Sequence, residues 1–322
     1  MSDQYIKADQ PIEAERPAYQ SAPVYIDTTA KIPASVTVSP FCVIQAHVTL
    51  GDQVTLGVGC VIEEGAVIGA GASLGHYVTV AAGAILGEGC QIAAHVSIGS
   101  EARIGARTRI GEHAAIYPQA ELGEEGFIGS SASVGRFPKA AATSTVKAQA
   151  ELSPLKMGNG YTIGCSAVLY AGTTYGEQAF LGDGALVREG CTIGKNVVIG
   201  SGAAVENDTR IGDYTKIQTG SYITAYMELE ERVFIAPMVT TTNDNYMGRT
   251  EKRFKSIKGP TICRGARIGG GAILLPGIRV APETFVAAGA LVTKDTEAKR
   301  VVKGFPAKEL REVSEEELLP ED

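Results

Sequence analysis

Every sixth residue from Ile26 to Val134 is a branched aliphatic. The series begins Ile26, Ile32, Val38, Ile44, Leu50, Leu56 and ends Ile116, Leu122, Ile128, Val134, with no interruption between. Two residues ahead of each stands a small or β-branched residue, as at Ala30, Cys42, Val54, Ala66, Ala84 and Ala102, and a glycine often follows, as at Gly51, Gly57, Gly69 and Gly87. A period of six fits neither a helix nor an ordinary alternating strand; it fits a short strand followed by a tight turn, repeated. Residues i and i−2 share one face of a strand, so the aliphatic and its small companion both point inward. Three such strands close a triangular coil, and coils stack at about 4.8 Å with each touching only its neighbours.

The pattern resembles the hexapeptide-repeat family, whose fold is the left-handed parallel β-helix. The resemblance implies an all-β solenoid. The left hand is the family's property and departs from the right-handed crossover rule; the periodicity does not supply it. Aromatic residues make up only 6% of the chain and Trp is absent, as suits a narrow bore filled by aliphatics.

The period divides the chain. Residues 1–23, broken by Pro11, Pro17 and Pro23, read as a lead-in, and 24–135 as a first β-helix block. Residues 136–160 form a junction across which the register slips by one, with Leu155 and Met157 anticipating the new phase, so that one continuous or nearly continuous rod is expected. A second block, 161–295, runs in phase from Ile163 through Leu169, Leu181 and Ile193 to Ile235 and resumes at Ile262 after a loop at 241–261. Residues 296–322 read as a cap, with an extended piece at 301–307 and a short acidic helix near Lys308–Leu319, since a solenoid's open end needs a polar cover.

Charge and cysteine usage exclude several classes. The net charge of −7 argues against general nucleic-acid binding. No apolar run is long enough for a membrane span, and the N-terminal stretch has no apolar signal core. Of the six cysteines, Cys42, Cys60, Cys90 and Cys191 fall at the small inward position, where Cys acts as a small hydrophobe; a reduced, cytoplasmic protein is expected.

Chemistry is sought where the period breaks. Residues 241–261 place Asn243, Asp244 and Asn245 together, followed by Arg249, Lys252, Arg253, Lys255 and Lys258. Loops ejected from a rigid scaffold tend to carry function, and clustered bases suit phosphate oxygens; a solvated loop with Asn/Asp turn chemistry reads equally well from composition. The stretches Val239–Arg249, Gly269–Ile278, Gly289–Asp295 and Val301–Lys308 resemble the C-terminal part of hexapeptide acyltransferases, nearest to the nucleotide-sugar N-acetyltransferases, although Phe305 replaces the usual residue before Pro306. That resemblance implies a homotrimer using acetyl-CoA as acyl donor, with an amine of a nucleotide-linked sugar or similar metabolite as acceptor and no metal. It implies Asp244 and Asn243 as catalytic residues, with Asn245, Arg249 and Arg253 toward the acceptor. Gly270, Gly271 and Ala272 would offer backbone groups to the pantetheine arm, and Lys294, Lys303 and Lys308 would meet the CoA phosphates.

The four histidines, His47, His76, His95 and His113, all lie in the first block. O-acyl transfer generally uses a base such as His to deprotonate a hydroxyl, so a histidine-free second block favours an amine. His95 and His113 are eighteen residues apart and stack on one face with Tyr77 in line, which a surface ladder explains better than a site does. Two rivals stand beside the acyltransferase: a non-enzymatic structural or oligomerising rod, and a γ-carbonic-anhydrase-like zinc enzyme, whose three converging histidines and His-x4-His spacing are missing here.

Overall fold

The structure is a computed structural model that describes residues 23–140, 142, 152–313, 315 and 318. The lead-in at 1–22 lies outside them. Two-residue strands recur at the expected positions, Val43–Ile44, Thr49–Leu50 and Thr55–Leu56 making one turn. Among the described residues they assemble into three sheets of 14, 12 and 15 strands, parallel except for the last strand of the third, which form the three faces of a prism. We call these faces one, two and three, containing Val43–Ile44, Thr49–Leu50 and Thr55–Leu56 respectively. This is an all-β parallel β-solenoid, consistent with the left-handed β-helix that the resemblance implies.

The register explains the period. Ile44 stacks on Ile62, Ile62 on Val80 and Val80 on Ile98 along face one. The inward aliphatics from Ile44 to Val134 and their companions are buried in one continuous core, each fully buried aliphatic contributing roughly 1.5–3 kcal/mol. At the first coil Ile26 is exposed, and Ile32 and Val38 are partly covered. The corner glycines answer to close approach: a Cβ on Gly57 would run into the backbone of Gly75 in the next coil. The four inward cysteines are buried, and burial pushes the Cys191 thiol up to about 12, so it stays protonated and packs as an apolar group.

The ladders cross the junction without a gap. Leu122 pairs with Met157, Ile128 with Ile163 and Val134 with Leu169. The one-residue slip is taken up in the segment between strands Ser133–Arg136 and Lys156–Met157, next to an irregularity between Val134 and Arg136. One coil above Gly126, a companion position, lies Tyr161, a large ring at a site that in most coils holds a small or β-branched residue. A Cβ on Gly126 would collide with that ring. The missing side chain in one coil makes room for the bulky one in the next.

The C-terminal helix expected near Lys308–Leu319 is corrected by the structure. Lys308–Glu312 is a strand, antiparallel to Arg300–Lys303, and together they end face three. The segment has residues that favour a helix when isolated, but the sheet's last strand offers unpaired backbone groups that a hairpin satisfies. Arg300 adds ion pairs to Glu312 at 2.6 Å and Glu309 at 3.6 Å. Beyond Val313 only residues 315 and 318 are described.

Replacing Gly126 with Ala is expected to destabilise the rod by about 1–3 kcal/mol through overpacking. The cost should shrink in a Tyr161→Val background. Urea unfolding of the single and double variants measures the coupling, and independent effects would contradict the stacking of these two positions.

Candidate active site

Two long connections between described strands run across the same edge, from face one to face two. Residues 137–155 connect Ser133–Arg136 of face one to Lys156–Met157 of face two; residues 242–260 connect Thr240–Thr241 of face one to Thr261–Ile262 of face two. The exit strands are five steps apart in face one, about 24 Å at strand spacing.

The 242–260 loop is held at its base and braced inside. Thr242 donates both its N–H and its hydroxyl to the Leu274 carbonyl at 3.1 Å. Asn243 accepts from the Lys258 N–H at 3.0 Å through its backbone carbonyl and donates its amide to the Ala225 carbonyl at 3.4 Å. Asp244 accepts from the Tyr246 N–H at 2.8 Å with Oδ1 and from the Gly248 N–H at 2.9 Å with Oδ2. Its Oδ2 also faces Arg253 Nε at 3.1 Å, on the short helix Arg253–Ser256. These contacts hold the Asp244 carboxyl below the usual carboxylate range, the Gly248 N–H bond most of all, with the Arg253 charge adding to it. Both oxygens are engaged and the charged form is favoured, an arrangement that organises a loop and makes a weak proton acceptor.

The loop folds back over its own rod and partly covers a cleft of about 480 Å³, within the range of small-molecule sites. Tyr222, Tyr226, Phe254 and Ile257 give it apolar walls; Glu206, Asn207, Thr224, Asn243 and Arg253 supply polar groups. The three rings are 40%, 44% and 48% exposed, respectively. Burial raises the Tyr222 phenol above its usual range, and the neighbouring Glu206 charge raises it further. A larger depression of about 590 Å³ lies along face two and its edge with face three. It is more open, and part of its lining charge is already paired, as Arg264 is with Glu231 at 3.1 Å, so the aromatic cleft under the loop is the better candidate.

The expected site residues do not all converge. Asn243 and Arg253 line the cleft, while Asp244 braces the loop from behind. Asn245 and Arg249 are exposed on the loop. Gly270, Gly271 and Ala272 sit on the edge between faces three and one, where the Gly270 carbonyl, the Gly271 N–H and both Ala272 backbone groups are already bonded within the rod. Lys303 and Lys308 are paired across the terminal hairpin, and Lys294 lies near it among Asp295, Glu297 and Glu309. Tyr77, His95 and His113 form the expected ladder, with rings stacked at 5.2 and 4.9 Å, far down the rod from the cleft. Glu206, Tyr222, Tyr226 and Phe254 escaped notice in the sequence. The first three occupy ordinary outward positions of the repeat, and only the folding of the loop over them makes them distinct.

The family model described as bacterial transferase hexapeptide (six repeats) matches residues 65–100, 176–207 and 190–225. The 2,3,4,5-tetrahydropyridine-2,6-dicarboxylate N-acetyltransferase of Staphylococcus aureus (strain JH9) is 50% identical over 48 residues, which is 15% of this chain and 20% of that one. The chain thus spans about a fifth of the length of such curated relatives. Among solved structures, an H141A mutant of GDP-perosamine N-acetyl transferase from Caulobacter crescentus, in complex with CoA and GDP-perosamine, is 22% identical over 45% of this chain and 56% of its own, with a TM-score of 0.31. A maltose O-acetyltransferase from Clostridium difficile 630 is 20% identical over 40% of this chain and 67% of its own, also with a TM-score of 0.31.

The brace at Asp244 carries a pH signature. A carboxyl whose folded value is depressed stabilises the loop above its unfolded value, about 3.9, and this contribution is lost as pH falls through the lower folded value. The Tyr246 and Gly248 amides should stay protected from exchange at pH 6 and lose protection in Asp244→Ala. Limited trypsin digestion should then cut that variant faster at Lys252 or Lys255, with rod melting unchanged. Equal cleavage of variant and wild type would show that the carboxylate does not brace the loop.

Proposed function

We propose that this chain, whose coils carry the hexapeptide repeats of bacterial transferases, is a CoA-dependent acyltransferase. It moves an acetyl group from acetyl-CoA to an amine of a nucleotide-linked sugar or a similar metabolite. The observation that carries the reading is the cleft under the 242–260 loop: a half-open, aromatic-walled pocket with converging polar groups, built on a rigid scaffold at the largest break in the second repeat block.

In this reading the acceptor lies in the cleft, with Asn243 against it. Arg253 shapes the cleft wall, and Asn245 and Arg249 stand at the loop's outer rim for acceptor phosphates. Asp244 holds the loop closed around the acceptor, which is the contribution its bonded oxygens support. Lys303 and Lys308, with Lys294 nearby, form the basic end to which the CoA phosphates are drawn, and the edge at Gly270, Gly271 and Ala272 carries the pantetheine arm. The second block's histidine-free coils favour an amine over a hydroxyl.

Assembly as a homotrimer completes the proposal. From the junction upward, the outward column of face one reads Val168, Leu186, Ala204, Tyr222, Thr240, Ile273 and Leu291, while face three presents Phe180, Val198, Phe234 and Phe285 interrupted by Lys216 and Arg267. An apolar face meeting a mixed aromatic and basic one at an edge suits a heterologous contact that closes by rotation. Face two, with Arg210, Glu228 and Arg279 outward, stays wet.

Calorimetry should show acetyl-CoA binding to the full chain, and a thiol assay should show CoA released when nucleotide-linked amino sugars are supplied. Asn243→Ala should lower turnover about tenfold or more, as loss of one substrate-positioning contact does, while leaving thermal melting unchanged. Failure to bind acetyl-CoA would overturn the reading, and wild-type turnover in the variant would remove the cleft from it.

A further inference from the structure

Glu206 stands in the cleft with its charge only partly answered. Its nearest cation is Arg188, one coil away, whose Nη1 lies 3.4 Å from Glu206 Oε2. That guanidinium is already committed to Glu189: Nε and Nη2 each donate to its carboxylate at 2.7 Å, in a two-pronged bond. Arg188 also packs at 5.3 Å from the centre of the Tyr170 ring, with Arg136 at 5.6 Å from the same ring. The fork is saturated, and among cations Glu206 receives only its long third contact, with the Tyr222 hydroxyl as a neutral partner. The other cation of the cleft, Arg253, is paired with Asp244 and lies 5.2 Å from the Phe254 ring centre. The Glu206 side chain is 21% exposed, and the exposed rings of Tyr222, Tyr226 and Phe254 line the same space. A carboxylate among aromatic rings is the chemistry that recognises an organic cation, because each ring face adds to the attraction of the charge.

We propose that Glu206 is the catalytic residue that binds the acceptor's ammonium group and takes its proton, with Tyr222, Tyr226 and Phe254 forming the surrounding cage. The inference rests on the acyltransferase reading and deepens it, since it commits the acceptor to a primary amine. The protonated amine enters as the counter-charge that Arg188 leaves unsupplied. It gives one proton to the Glu206 carboxylate, which passes it to solvent. The freed nitrogen lone pair attacks the thioester carbonyl, a C–N bond forms, and the C–S bond breaks. The nitrogen's second proton ends on the departing CoA thiolate. Acyl-CoA and ammonium are thereby converted to amide, CoA thiol and one proton.

The test separates the site from the reaction. Protein carrying fluorotyrosine is titrated with methylammonium chloride against sodium chloride of equal ionic strength, followed by fluorine resonance. The Tyr222 and Tyr226 signals, assigned with Tyr222→Phe and Tyr226→Phe, should move in the wild type and stay still in Glu206→Gln. Equal movement in both, or none in the wild type, overturns the ammonium site. In parallel, nucleotide-linked amino sugars and their hydroxyl counterparts are assayed with acetyl-CoA. Amines should turn over in preference to hydroxyls, and Glu206→Gln should lower kcat about 100-fold or more, the range of a lost proton acceptor, with acetyl-CoA affinity and melting unchanged. A cation-dependent shift without turnover on any amine would sink the acyltransferase reading while the site stands. Turnover that Glu206→Gln leaves intact would sink the catalytic role alone.

Discussion

The parallel hydrogen-bond ladder between successive coils governs everything else in this molecule. Successive backbone N–H groups of a strand reach carbonyls of the coils on either side, as from Thr49 to Ala66 above and from Leu50 to Lys31 below, both at 3.0 Å. Because the ladder is in register, each inward side chain lies directly over its counterpart, and the bore must be filled column by column. A large residue therefore needs a small neighbour along the axis, which is what Gly126 is to Tyr161. Extra chain can be admitted only at corners, where no ladder bond is broken, and both long insertions obey that restriction.

A rod built this way is stiff and featureless, so a binding site has to be added to it. The 242–260 loop adds one by closing over outward side chains that elsewhere face solvent. Its brace is electrostatic and local: the Asp244 carboxylate gathers two loop N–H groups and the Arg253 guanidinium. That bracing frees Asn243, Phe254 and Ile257 to form one wall, while coils of the rod supply Glu206, Asn207, Tyr222 and Tyr226 as the other. Positioning comes from the rod, and enclosure comes from the loop.

The fold was legible to the residue because a β-helix writes its core as a period. Inward positions, companions, the register slip before Met157 and the in-line rings of Tyr77, His95 and His113 all follow from counting. The site was legible only as an interruption. Counting finds where the chain departs from the coil at Thr242, but not which coils the departing chain covers, and Glu206 and Tyr226 look like any other outward residues until that is known. Asp244 was singled out for its placement among amides and bases, and which N–H groups it meets could not be read from that placement. The terminal strand Lys308–Glu312 was missed for a related reason: its composition favours a helix, and only the neighbouring strand Arg300–Lys303 makes extension the better choice.

The shared exit edge of the two insertions makes the rod a ruler with a built-in compass. Adding or deleting one whole turn between them would lengthen or shorten their separation by a single strand spacing and leave both pointing the same way. Adding one hexapeptide would instead swing the upper loop to a different edge of the prism, carrying its wall away from Glu206. Length variation in the coils from Met157 to Thr241 is thus compatible with this cleft only when the coils that lie beneath the loop travel with it as a unit.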